Sequence, residues 1–167
     1  MSLIRLILGL DPGLRHTGWG TVAQDGNRLS FIAAGRISPD DSLPMASRLC
    51  ALAEGLDEVL AQHRPREAAI EETFINKNAL SALKLGQARG AAMLTLAQSG
   101  LAVSEYAANR IKQSITGYGH ADKTQIQAMI SMLLPGSGKL AADAADALAV
   151  AITHAHHMGA ISLKVRA

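Results

Sequence analysis

The sequence predicts an α/β fold, a five-stranded mixed sheet flanked by helices. Three observations carry this. Three short apolar runs open the chain with only tight turns between them, the pattern of antiparallel strands. Two further apolar runs each follow a helix-length segment with helical periodicity, the pattern of βαβ crossovers and parallel pairing. The composition is that of a packed globular chain, with 167 residues of which 49% are hydrophobic and 18% charged. That length suits one domain spanning residues 1–167 and is short for two.

Ile4 to Leu10 is apolar but for one arginine and is stopped by Asp11-Pro12-Gly13, so it forms a buried strand ending in a turn. His16 to Ala23 and Leu29 to Arg36 are the next strands, and the polar Gln24-Asp25-Gly26-Asn27 between them makes a hairpin. From Ser42 to Gln62, Met45, Leu49, Leu52, Leu56, Val59 and Leu60 recur at helical spacing, and Pro65 ends that helix. Ala68-Ala69-Ile70 is a fourth strand running into Glu71-Glu72. Asn78 to Gln98 is a helix closed by Gly100, and Leu101 to Tyr106 a fifth strand. Helices over Ala107 to Ser114 and Lys123 to Leu134 flank the loop Thr116 to His120. The alanine-rich segment Ala141 to His157 is the last helix, with a frayed tail expected over residues 158–167.

Formal net charge is only +2, so nucleic-acid binding has to be argued from where charges sit. The single cysteine, Cys50, rules out an internal disulfide and is expected to be a small buried hydrophobe in a reducing compartment. No secretion signal opens the chain and no apolar run reaches a membrane span, so a cytoplasmic location is expected.

Four carboxylates stand out. Asp11 follows directly on a buried strand, at the carboxyl end where α/β sheets collect ligand sites. A turn-forming aspartate before Pro-Gly is the simpler account of it alone. Glu71 and Glu72 end the fourth strand, and alternation sends them to opposite faces, so one of the two should reach a common centre. Asp143 and Asp146 lie three apart at a helix start and project from one face. Acids there also complement the helix dipole. The alanines around them would let that helix lie close to a sheet. Together, four clustered acids resist ionising unless cations neutralise them. Their hard oxygens select Mg²⁺ or Mn²⁺ over zinc, and two such ions can activate water against a phosphodiester.

Several stretches resemble the RuvC family of Holliday-junction resolvases. They are Leu8-Gly9-Leu10-Asp11-Pro12-Gly13 with Thr17-Gly18-Trp19-Gly20, then Ala69-Ile70-Glu71 and Phe74, then Ser81 to Gly90, and finally Ala142 to Ala149 with Ala151-Ile152-Thr153-His154. Trp19 stands where a tyrosine is more familiar. The resemblance spans Leu6 to His157. It implies an RNase H-like fold, a two-fold homodimer built on the helix Asn78 to Gln98, and symmetrical metal-dependent nicking of opposed strands at a four-way DNA junction. It places the catalytic and metal-binding acids at Asp11, Glu71, Asp143 and Asp146, favouring Glu71 over Glu72. Mg²⁺ is the implied cofactor, with Mn²⁺ able to substitute and two ions per site during catalysis. A branch-migration motor of RuvA and RuvB is the implied partner.

For DNA contacts, the sequence offers Phe74, Lys77, Lys84, Arg89, Lys112 and Lys123, with Arg110 as a further basic residue. Singly, such basic residues are solvated surface; gathered near the acids, they would bind the phosphate backbone. Lys112 and Lys123 match basic positions of the family, and Phe74 matches its junction-stacking phenylalanine. His154, His156 and His157 cluster near the C-terminus, where a helix-end histidine complements the dipole. His154 is a possible neighbour of the acids. Two other functions compete. One is a junction-binding module without cutting. The other is nucleotide hydrolysis of the actin–sugar kinase kind, which needs two such halves and is poorly served by this length.

Overall fold

The computed structural model describes residues 4–13, 15–72 and 77–165, with the side chains of the last helix described as far as Gly159. Five strands form one mixed sheet in the order β3-β2-β1-β4-β5. β1 (Arg5–Asp11), β2 (Thr17–Asp25) and β3 (Arg28–Ile37) are joined antiparallel. Asp25 pairs with Arg28 across a hairpin loop in which Gly26 takes a φ of 59°, a value L side chains rarely adopt. β4 (Glu67–Glu71) lies parallel to β1, and β5 (Val103–Tyr106) parallel to β4. The mixed sheet is what the order of apolar runs predicts, and its RNase H-like arrangement is what the family resemblance implies.

Alternation along β1 divides the interior into two cores. Leu8 and Leu10 join Leu56 and Val59 of α1 (Met45–His63) and Ala92 and Leu96 of α2 (Ala79–Gln98). Ile7 and Ala69 face the other way. They pack with α3 (Ala108–Thr116), α4 (Lys123–Leu133) and, above all, α5 (Ala142–Val165). α5 crosses β1 and β2 in near backbone contact. A Cβ added at Gly9 would stand 2.1 Å from the carbonyl oxygen of Ala147. Only glycine on the strand and alanine on the helix permit that approach.

Three expectations need correction. α1 begins at Met45 after Pro44, not at Ser42. Ser42 is engaged instead by Asp40, whose Oδ1 accepts from its N–H at 2.9 Å and its hydroxyl at 2.7 Å, a local turn that competes with helix. Cys50 is exposed, because Leu52, Leu56 and Val59 define the buried stripe of α1 and Cys50 falls off it. α5 continues to Val165, beyond the His157 at which the last helix was expected to end. The added segment has no proline and several good helix formers, so nothing in it stops the helix. Among the described residues, no helix is long and apolar enough to cross a membrane.

Candidate active site

Two strand ends and one helix start meet at one pole of the sheet. Asp11 is the last residue of β1 and Glu71 the last of β4, on neighbouring strands that pair Leu10 with Ile70. Alternation puts Asp11 on the face of Ile7 and Gly9, and Glu71 on the face of Ala69, both covered by α5. Glu72 lies past the strand end, its N–H donating to the Tyr106 carbonyl at 2.9 Å. Asp143 sits in the first turn of α5, and Asp146 follows on the same face. A Cβ on Gly18 would stand 2.0 Å from the Asp143 carbonyl oxygen, so the start of α5 rests directly on β2.

Asp11, Glu71 and Asp146 line one cleft of about 460 Å³ together with Lys112 and Lys123. Ile111, Ile126 and Ala149 supply apolar wall. Lys123 Nζ lies 3.7 Å from Asp146 Oδ2 and is otherwise largely in solvent.

The acids act on one another strongly. Asp11 has its pKa pushed up to about 7, first by burial and then by the charges of Glu71, Asp146 and Asp143, with Lys123 opposing. Glu71 is raised by burial and by Asp146, against Lys112 and Lys123. Asp146 is raised by burial and Asp143, against Lys123. Asp143 stands beside the cleft and contributes through its charge. Such a set suits a hard divalent cation, since every donor is a carboxylate oxygen and two lysines leave the negative charge in excess. Among the described residues, no three acidic, histidine or cysteine side chains are already drawn together as a metal-holding group.

A family model described as crossover junction endodeoxyribonuclease RuvC matches residues 7–154. The chain belongs to the RuvC family. A RuvC from Rhodopseudomonas palustris is 61% identical over 154 residues, covering 92% of this chain and 88% of that one. A RuvC from Nitrobacter hamburgensis is 57% identical, covering 96% and 94%. Among solved structures, Thermus thermophilus RuvC in complex with a Holliday junction substrate superposes with a TM-score of 0.85 at 30% identity, covering 93% of this chain and 95% of that one. A yeast mitochondrial Holliday junction resolvase, at 10% identity and a TM-score of 0.62, shares the fold. The protein is thus a nuclease of the RuvC type, and membership implies dependence on a divalent metal.

The other residues singled out from the RuvC resemblance separate into groups. Lys112 and Lys123 border the acidic cleft. Phe74 lies outside the described residues. Lys77 is exposed just before α2 and Lys84 is half-buried on α2; neither lines the cleft. Arg89 sits under the opposite face of the sheet. Its Nη2 is 3.1 Å from Glu105 Oε2 and its Nε donates to the Glu71 carbonyl at 3.4 Å. That placement makes it an anchor for the strand end that carries Glu71, away from the lining of the acidic cleft. Arg110 Nη2 lies 2.7 Å from His157 Nδ1, away from the acids.

His154 is not in the cleft. It is buried at the far end of the same face, between Tyr106 Oη at 2.9 Å and Glu67 Oε2 at 2.8 Å. Arg5 clasps Glu67 there, with Nε donating to Oε1 at 2.7 Å, and its Nη1 donates to Gln24 Oε1 at 2.7 Å. This second polar centre was missed from the sequence. A signal existed: Arg5 and Glu67 each open an apolar strand, and each shares its face with the acid that ends it.

Proposed function

We propose that this chain resolves four-way (Holliday) DNA junctions by paired, symmetrical, metal-dependent hydrolysis of two opposed strands during recombination and repair. The observation that carries the reading is the gathering of Asp11, Glu71 and Asp146 in one cleft at one pole of a RuvC fold, with Lys112 and Lys123 in its lining and the charge of Asp143 acting on Asp11 and Asp146. The four carboxylates would hold Mg²⁺, or Mn²⁺ in its place, with two ions per site during cutting. Bound there, the metal supplies an activated water and stabilises the leaving oxygen. Lys112 and Lys123 hold the phosphate against the cleft by charge. Phe74 would stack on a base at the junction.

Two opposed cuts call for two sites. Leu80, Leu83 and Leu94 project from one face of α2 and are each about 60% exposed. Gly86 and Gly90 lie on the same side with open space around them. An apolar stripe with glycines suits close pairing with a second copy, which makes a two-fold homodimer the proposed assembly. RuvA and RuvB, as a branch-migration motor, are the proposed partners, and the cytoplasm the proposed place of action.

The test is cutting of a synthetic four-way junction. The native protein should give paired nicks in Mg²⁺ and in Mn²⁺ and none in chelator. Asp146→Asn should keep junction binding and lose at least about 10²-fold in cutting, since even partners behind a metal ligand carry up to that much. A folded native protein that binds junctions and cuts none with either metal would instead be a junction-binding module.

A further inference from the structure

Lys112 and Lys123 stand on two helices either side of the acidic cleft, and the loop joining α3 to α4 runs between them. The tip of that loop carries Tyr118, 59% exposed in a chain with only two tyrosines, two phenylalanines and one tryptophan. A single exposed aromatic ordinarily needs no explanation. Here the ring is held in place. It meets His120 edge to face, with centroids 5.6 Å apart and planes at 74°.

The backbone beneath is pinned as well. Gly117 closes α3 with a φ of 75°. Thr116 Oγ1 lies 2.9 Å from the carbonyl oxygens of both Lys112 and Tyr118, and it accepts the Tyr118 N–H at 3.2 Å. The same threonine thus ties Tyr118 to the helical turn that carries Lys112. Downstream, the Ala121 N–H reaches the Tyr118 carbonyl, and Ala121, Asp122 and Lys123 line the cleft. An exposed, braced aromatic on the loop that joins the two lysine-bearing helices of the acidic cleft has the chemistry of single-strand nucleic-acid grooves. There, cations track phosphates and rings stack on bases.

We propose that Tyr118, braced by His120, is a stacking platform for an unpaired nucleobase next to the phosphate held in the acidic cleft. This rests on the nuclease reading above. At a junction crossover the terminal pairs of each arm can lose stacking on one side, so freeing a base there costs less than within a continuous duplex. The ring face makes the contact, so the hydroxyl is dispensable.

The test uses the full-length protein and a four-way junction carrying 2-aminopurine beside each cut position, whose fluorescence falls on stacking. Binding and quenching are read in an Asp146→Asn background; cutting is read with Asp146 intact. Tyr118→Phe should leave binding, quenching and cutting unchanged. Tyr118→Leu keeps bulk but lacks a π face. It should lose the quenching and weaken junction binding about 5- to 150-fold, with an unchanged salt slope because no charge is removed. Quenching and affinity that survive Tyr118→Leu would overturn the platform while leaving the nuclease reading intact. So would a Tyr118→Phe loss as large as that of Tyr118→Leu, which would assign the contact to the hydroxyl. A native protein that neither binds nor cuts the junction overturns both.

Discussion

Partners decide the charge of His154. The Glu67 carboxylate can only accept a hydrogen bond, so Nε2 of His154 carries the hydrogen and Nδ1 accepts from the Tyr106 hydroxyl. The neutral ring satisfies both neighbours. Burial lowers its pKa, the bond to Glu67 opposes this, and Arg5 and His157 push it down further. Glu67 is lowered chiefly by its bond from Arg5, against burial and with help from His154. Both groups therefore bind protons more weakly folded than unfolded, and stability falls as pH falls. The His154 contribution is complete above histidine's ordinary 6.5 and is lost as pH drops through the lowered folded value. The Glu67 contribution follows in the same sense below 4.5. Asp11, raised to about 7, takes up its proton in the folded state over the same range and opposes this, so the test is a difference: in urea denaturation from pH 7.5 to pH 5, the stability of His154→Gln should fall less, or rise more, than that of the native protein. His156, also lowered by burial, acts in the same sense as His154 but is present in both proteins and drops out of the difference. An equal slope in the variant would mean the network does not set it. Such networks hide in sequence, because Arg5, Glu67, Tyr106 and His154 come from four separate elements. The partners of Arg89 were hidden for the same reason, as Glu105 and the Glu71 carbonyl belong to neighbouring strands.

At the scale of elements, the strands were readable because each apolar run ends in turn chemistry, as Asp11-Pro12-Gly13 does. The start of α4 was readable too. Asp122 caps it, and the Gln125 side chain returns a bond to the Asp122 N–H, the reciprocal pair its spacing encodes. The start of α1 was less readable, because Asp40 engages Ser42 in a local turn and the helix begins only after Pro44. Glu71 against Glu72 could not be settled by alternation alone, which says that they differ and not which face α5 covers. The spacing of α5 from the sheet was equally hidden. It depends on Gly18 meeting the backbone of Asp143 across 125 residues of chain. Gly18→Ala tests that seam. Its Cβ would meet a backbone carbonyl, so the start of α5 must shift. Overpacking of this kind costs about 1–3 kcal/mol, or roughly 2–12 °C in melting temperature. Displacing Asp143 and Asp146 by ~1 Å should cost about 10²-fold in cutting. Retained cutting in a variant that melts lower would show that the acids tolerate the shift.

At the scale of the whole molecule, the face covered by α5 has two poles. Acids gather where β1 and β4 end, and the Arg5–Glu67–His154 network closes the end where those strands begin. The opposite face carries α1 and α2, so the leucine stripe of α2 lies across the sheet from α5. Pairing through that stripe would add a second acidic site without obstructing the first. Leu83→Glu tests the pairing. Leu83 is 61% exposed, so the substitution should leave the isolated fold within about 0.5 kcal/mol of the native protein. In a two-fold interface the new charge is buried twice. At ~2 kcal/mol or more for each, dimer dissociation should rise at least about 10³-fold. Sedimentation at micromolar protein should then show monomer with a native circular dichroism spectrum. The acids are untouched, so thermal stabilisation by Mg²⁺ should persist. Paired nicking should collapse to slow, uncoordinated single nicks. A variant that stays dimeric and cuts in pairs would move the interface elsewhere. One that turns monomeric yet still nicks both strands together would break the link between pairing and symmetry.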